Sequence, residues 1–309
     1  MDWSRAKAAT IGVEIEMANI TREKACRTIA AYFGTENTVR NEGGAYFTWS
    51  CEDRKGRKWS ITRDSSILAR ESEEQTELAT PVLHYEEDIA DLQEIVRNLR
   101  HKGAVSDPEH GCGVHIHCGA EGHTAQSLRN LVNLMAAHEQ LLINAISIDS
   151  RRVERYCKTV DEKFLSRLNE EKPDTMSGLA DIWYESQHAC SGRVMHYNTS
   201  RYHMVNLHST FTKGTVEMRL FQFDNPTDER RGGLNAGQLK AYILLTLALN
   251  EQAKEAKTAS SKKVQSDNPK YAMRCWLLRL GFIGDEFRTA REHLTKRLAG
   301  DSAFRTPQN

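Results

Sequence analysis

Apolar and polar residues alternate most strictly in three short stretches, and in each the alternation gathers ionisable side chains onto one face. In Thr10 to Met17, Val13, Ile15 and Met17 fall on one side and Gly12, Glu14 and Glu16 on the other. That two-residue period is the mark of a strand with one buried face. In Gly113 to Gly119, Val114, Ile116 and Cys118 back His115 and His117. In Gly214 to Phe223, Val216, Met218 and Leu220 back Glu217 and Arg219.

Other stretches follow the helical period or break it. A helix is predicted from an N-cap at Thr21 to Phe33, stopped by Gly34. Tyr46 to Cys51 and Trp59 to Thr62 read as a hairpin through the turn Asp53-Arg54-Lys55-Gly56, and Gln75 to Val82 as a further strand. Ile89, Leu92, Ile95, Val96 and Leu99 recur at helical spacing within Glu86 to His101, with Gly103 as the stop. Helices are also predicted over Thr124 to Ile146, in pieces through the polar middle from Ser150 to Gly192, and over Leu234 to Ala253. Tyr202 to His208 reads as a strand. No internal repeat is present.

Together these elements predict an α+β fold, a curved antiparallel β-sheet with helices packed on its apolar face. The composition changes at Lys257 to Lys270, where apolar periodicity disappears. The expected organisation is therefore a catalytic domain over 1–256, a polar linker over 257–270 and a small helical extension over 271–309, with Arg305 to Asn309 frayed.

Composition narrows the function classes. Lys+Arg and Asp+Glu both number 42, so the summed charge offers no field for nucleic acid or an anionic membrane, and any anion site must be local. The apolar stretch at Ile11 to Val13 lacks the length of a secretory signal, and Ala241 to Leu249 is too short to span a bilayer. Seven scattered cysteines without CxxC spacing argue for reduced thiols and against a disulfide framework. The expected location is cytoplasmic.

The three alternating strands carry the chemistry. Side chains two apart on a strand leave the same face with roots about 7 Å apart, so Glu14 with Glu16, His115 with His117 and Glu217 with Arg219 each form a pair aimed one way. Singly, the acidic pair reads as a solvated face and Glu217 with Arg219 as a surface ion pair. Three such pairs opposite apolar faces describe instead a sheet whose back packs on helices and whose front lines a polar site. Carboxylates with a histidine suit Mg²⁺ or Mn²⁺, and an arginine suits a phosphate held by those ions. Glu77 adds a further acid. A rival reading makes Cys112, His115, His117 and Cys118 a zinc site, which strand geometry opposes because the cysteines fall opposite the histidines. No GxxxxGK[ST] or GxGxxG loop is present, so a nucleotide would bind through metals and arginines.

The ordered motifs resemble those of the amidoligases, relatives of glutamine synthetase and glutamate–cysteine ligase among the carboxylate–amine ligases. They are Gly12 to Glu16, Asp64-Ser65-Ser66-Ile67, Glu77 to Pro81, Gly113 to His117, Arg201 to Asn206 and Val216 to Arg219, spread over roughly residues 10–250. The resemblance implies a glutamine synthetase-like catalytic domain in which Glu14, Glu16, Glu77, His115 and Glu217 hold two or more Mg²⁺ or Mn²⁺ ions. It implies that Arg219 and His117 contact a phosphoryl group transferred from ATP, with an acyl phosphate then attacked by an amine. It further implies that Asp64 binds or deprotonates the incoming ammonium and that Arg201, Asn206 and Ser65 hold ATP or substrate. A further metal-binding glutamate falls among Glu71, Glu73 and Glu74, without a choice between them. Two alternatives stay open: a metal-dependent hydrolase, and a non-catalytic metal- or nucleotide-binding module. The expected partners are small-molecule or peptide carboxylates and amines.

Overall fold

The computed structural model of the chain describes residues 1–195, 197–225 and 233–303; the tail expected to fray lies outside the described residues. In chain order the strands are β1 (Thr10–Met17), β2 (Arg40–Gly43), β3 (Thr48–Glu52), β4 (Lys58–Thr62), β5 (Thr76–Ala79), β6 (Leu83–His84), β7 (Val114–Gly119), β8 (Val205–Asn206) and β9 (Thr215–Phe221). The chain divides into two compact units: a strand-rich unit of Thr10–Ile116 and Phe221–Lys240, and a helix-rich unit of Met1–Ala9, His117–Leu220 and Ala241–Asn309.

In the strand-rich unit the strands run in the order β2-β3-β4-β5-β1, antiparallel at every step. The registers stack side chains into alternating rows. Ile61, Leu78 and Ile15 stand opposite one another and are fully buried. The next row, Thr62, Glu77 and Glu16, points to the other face, as the pleat demands. The helix Arg22–Phe33, capped by Thr21 and ended by Gly34 at φ +71°, packs on β3 and β4. It buries Ala25, Cys26, Ile29, Ala30 and Phe33, and the helix Tyr85–His101 packs against it in turn.

Two expectations change here. The strand expected over Gln75 to Val82 is shorter, β5 alone, because Pro81 has no N–H to continue the ladder; beyond the expected range Leu83 of the unforeseen β6 pairs with Ile11 of β1. The edge strand β2 has no apolar alternation to announce it: Arg40, Asn41 and Glu42 are all exposed.

In the helix-rich unit β8 and β9 pair antiparallel, Asn206 opposite Glu217. The strand expected over Tyr202 to His208 is only two residues long. Asn206 Oδ1 accepts from His208 N at 2.9 Å, and the Ser209 hydroxyl donates to Thr215 O at 2.7 Å. Both bonds turn the chain into the short helix His208–Lys213. The polar middle forms three helices, Ser150–Arg155, Glu162–Glu171 and Met176–Ser186.

The stretch after residue 256 has little regular structure until the helix Pro269–Arg279, yet side-chain amides of the helix Ala125–Ile146 fasten it. Asn130 Nδ2 donates to Ala256 O at 2.7 Å, Gln126 Nε2 to Lys257 O at 2.6 Å and Asn133 Nδ2 to Ala259 O at 3.1 Å. Trp276 stacks on His138 at 3.8 Å between centroids. Among the described residues no helix is long and apolar enough to cross a membrane.

The hairpin β3–β4 is locked by charge. Asp53 Oδ1 accepts from Lys55 N and Arg57 N across the turn, and Arg57 forks onto both oxygens of buried Asp88 at 2.8 Å. Asp88 is thereby held well below the usual carboxylate range, since bonds from Arg57, His84 N and Lys55 outweigh the cost of its burial. A depressed carboxyl pKa gives stability that is present above the unfolded value, ~3.9, and lost as pH falls below it. Asp88→Asn is therefore expected to lower unfolding stability by ~1.5–3 kcal/mol at pH 7. Denaturant melts at pH 7 and pH 3 check this: the gap between wild type and variant should narrow at the lower pH.

Candidate active site

The strand-rich unit draws four of the expected side chains together. Glu14 and Glu16 leave the same face of β1, and the β1–β5 register sets Glu77 beside Glu16. The His115 ring spans the two β1 carboxylates, its Nδ1 3.0 Å from Glu14 Oε2 and its Nε2 3.6 Å from Glu16 Oε1. The second Glu16 oxygen accepts from Gly113 N at 2.6 Å, which fixes the entry to β7. Donor atoms of Glu16, Glu77 and His115 all lie within 4.8 Å of one another. His115 and Glu16 are almost wholly buried, whereas Glu14 keeps some exposure.

This crowding has an electrostatic signature. The Glu77 carboxyl is pushed well above its ordinary range, first by burial and then by the charges of Glu14, Glu16 and Asp64, while the Thr62 hydroxyl opposes the shift. Four acids, Glu14, Glu16, Glu77 and Asp64, are thus held in one neighbourhood. Asp64 belongs to the same neighbourhood through that charge, and its Oδ1 accepts from Ser66 N at 2.7 Å to shape the loop. Ser65 is exposed on that loop. Glu71 and Glu73 are exposed and Glu74 is half-buried near the turn Ser72–Glu74; none joins the Glu16–Glu77–His115 donor set.

The helix-rich unit gathers a second group. Glu217 and Arg219 are both buried and ion-paired, Arg219 Nη1 donating to Glu217 Oε1. The length of the arginine closes the separation at the strand, so the two side chains meet where the sequence pattern alone leaves them parallel. Asn206 Nδ2 holds the other Glu217 oxygen at 2.6 Å. His117 Nε2 stands 3.9 Å from Glu217 Oε1, its ring steered by Thr215 Oγ1 3.0 Å from Nδ1. Arg219 and Arg201 each lie 5.8 Å from the Tyr202 ring centroid, which brings a second guanidinium into this group through a shared aromatic face.

The cysteines take no part. Cys112 packs with Ala18, Ile67 and Ala69, and burial pushes the Cys118 thiol up to about 12. Among the described residues no group of side chains that could hold a metal includes a cysteine, which speaks against the zinc reading. Sequence reasoning missed Thr215, which orients His117, and Tyr202, which the two arginines share. Tyr202 lies inside the Arg201–Asn206 motif and Thr215 beside the Val216–Arg219 motif, and neither carries a further signal in the chain.

Residues 7–250 match the family model described as "Putative amidoligase enzyme". Among solved structures the chain is similar to that of a bifunctional glutathione synthetase from Pasteurella multocida, with a TM-score of 0.46 and 13% identity. The alignment covers 95% of this chain and 48% of that one, so this chain spans about half the length of that protein. No curated protein matches. The family match extends over well more than half of the sequence and includes every residue of both groups; the chain belongs to the amidoligase family.

Proposed function

We propose that this protein is an ATP-dependent carboxylate–amine ligase that makes an amide through an acyl phosphate, on a glutamine synthetase-like plan. The observation that carries the reading is the set Glu16, Glu77 and His115, with donor atoms within 4.8 Å of one another. Opposite ligands on a Mg²⁺ ion stand only ~4.2 Å apart, so small rotations would complete a ligand set of two oxygens and one imidazole nitrogen, a combination suited to Mg²⁺ or Mn²⁺. The raised Glu77 carboxyl supports the same fit, because like charges packed this closely are relieved by a cation. In this reading Glu14, Glu16, Glu77, His115 and Glu217 hold the metals. When bound, these would neutralise the phosphate oxygens of ATP during transfer.

The remaining roles follow from side-chain chemistry. Arg219 presents a planar fork for a phosphoryl oxygen and must leave Glu217 to use it. His117, steered by Thr215, donates to the same group. Arg201 and Asn206 serve substrate or nucleotide, and the Asp64 carboxylate attracts an ammonium, with Ser65 beside it. The direct test is ADP release with Mg²⁺ or Mn²⁺ across panels of amino acids, dipeptides and amines. Release that requires both a carboxylate and an amine is expected; phosphoester or amide hydrolysis without ATP would overturn the ligase reading in favour of a hydrolase.

Two variants probe the assignments. A carboxyl whose folded pKa is raised gives stability that is present below the unfolded value, ~4.3, and lost as pH rises through the folded one. The metal-free protein should therefore melt at a lower temperature as pH rises, and Mn²⁺ should reverse the loss. Glu77→Gln should raise the metal-free melting temperature at pH 7.5 by ~2–6 °C and abolish the gain from Mn²⁺. Arg219→Lys keeps the charge and loses the fork, so turnover should fall ~10²-fold or more while Mn²⁺ affinity stays near wild type. Melting temperature, Mn²⁺ affinity and ADP formation on one preparation decide it: a large loss of melting temperature with near-normal specific activity makes Arg219 structural.

A further inference from the structure

The loop before β7 contains a histidine–carboxylate pair that none of the roles above uses. His110 Nδ1 lies 2.9 Å from Asp107 Oδ1, and the same oxygen accepts from His110 N at 3.0 Å. An oxygen that takes both bonds must face an N–H on Nδ1, so the Nε2 of a neutral His110 carries the lone pair. Asp107 is 1% exposed and the His110 side chain 29%: the carboxylate is buried and the imidazole opens outward. Among the described residues Asp107 Oδ2 has no hydrogen-bond partner. The buried carboxylate thus orients the ring and leaves Nε2 as its outward-facing atom.

The loop is also placed against the motif Asp64-Ser65-Ser66-Ile67. His110 O accepts from Leu68 N at 2.8 Å, and a Cβ on Gly111, at φ +72°, would come within 3.4 Å of Ser66 O. That close approach seats His110 on the loop Asp64–Leu68, whose Asp64 acts electrostatically on Glu77. Three residues on, Gly113 N donates to Glu16.

Resting on the ligase reading, we infer that His110 is the general base for the amine, with Asp107 as its positioning residue. An amine substrate arrives as R–NH₃⁺ and is drawn by the Asp64 carboxylate. His110 Nε2 takes one proton, freeing the nitrogen lone pair. That pair forms the C–N bond at the acyl phosphate carbon. The C–O bond to phosphate then breaks with its electrons on the leaving phosphate, which takes the second nitrogen proton. His110 returns its proton to water. The proton transfer has the weight of general base catalysis, ~10²–10⁴-fold.

The test compares two amines on one carboxylate chosen from a panel of amino acids and dipeptides. Methylamine is charged near neutral pH and needs a base; hydroxylamine is uncharged there and does not. For His110→Gln, the fall in kcat with methylamine should exceed that with hydroxylamine by ~100-fold, at unchanged melting temperature, and free imidazole should restore part of the methylamine rate in His110→Ala. Asp107→Asn should show the same selectivity in smaller degree, on kcat more than on KM. Equal losses with both amines, or no imidazole rescue in a folded His110→Ala, overturn the inference and leave the ligase reading standing. No amine-dependent ADP release by the wild-type protein overturns the ligase reading and this inference with it.

Discussion

Glu16 and Glu77 stand directly opposite each other across the β1–β5 ladder, a pairing that on its own pushes strands apart. It survives because the register is set by the other face. There Ile15, Leu78 and Ile61 form one continuous buried row, and a one-residue slip would carry that whole row to the polar side. Burial of hydrocarbon thus holds carboxylates at a distance they would not choose. His115 is the counterweight, one ring reaching both acids of β1.

The group on β8 and β9 solves the opposite problem. Here a buried carboxylate is fully engaged, with Asn206 on one oxygen and Arg219 on the other. Removing one partner of such a pair leaves a stranded charge, so an arginine that must move toward a ligand can do so only if something replaces it at Glu217. The Tyr202 face, reached by both Arg201 and Arg219, offers a position where a guanidinium keeps some of its stabilisation while unpaired from an acid.

The sequence made the strands bearing these groups legible because strict alternation is cheap to recognise, and β1 begins and ends at the expected residues, Thr10 and Met17. It was equally informative at Thr21 and Gly34, where a cap and a left-handed stop define a helix. It failed where backbone geometry depends on partners distant in sequence. β2 is an edge strand made of polar residues that only the neighbouring Trp49 and Ser50 reveal. Tyr202 to His208 reads as a strand but is bent early by the amide of Asn206. The Glu217–Arg219 bond was out of reach for a different reason: side-chain length and rotamer decide it, and a pattern of faces carries neither.

One further consequence follows from the amides of Gln126, Asn130 and Asn133, which hold the backbone of residues 256–259. The family resemblance ends at residue 250, inside the helix Ala236–Glu255, while these side chains and the stacked His138 and Trp276 look past that limit for their partners. What is shared by descent and what is cooperative in folding therefore differ in length. A protein cut where the kinship ends would keep every residue of both side-chain groups and lose the backbone carbonyls that Gln126, Asn130 and Asn133 reach.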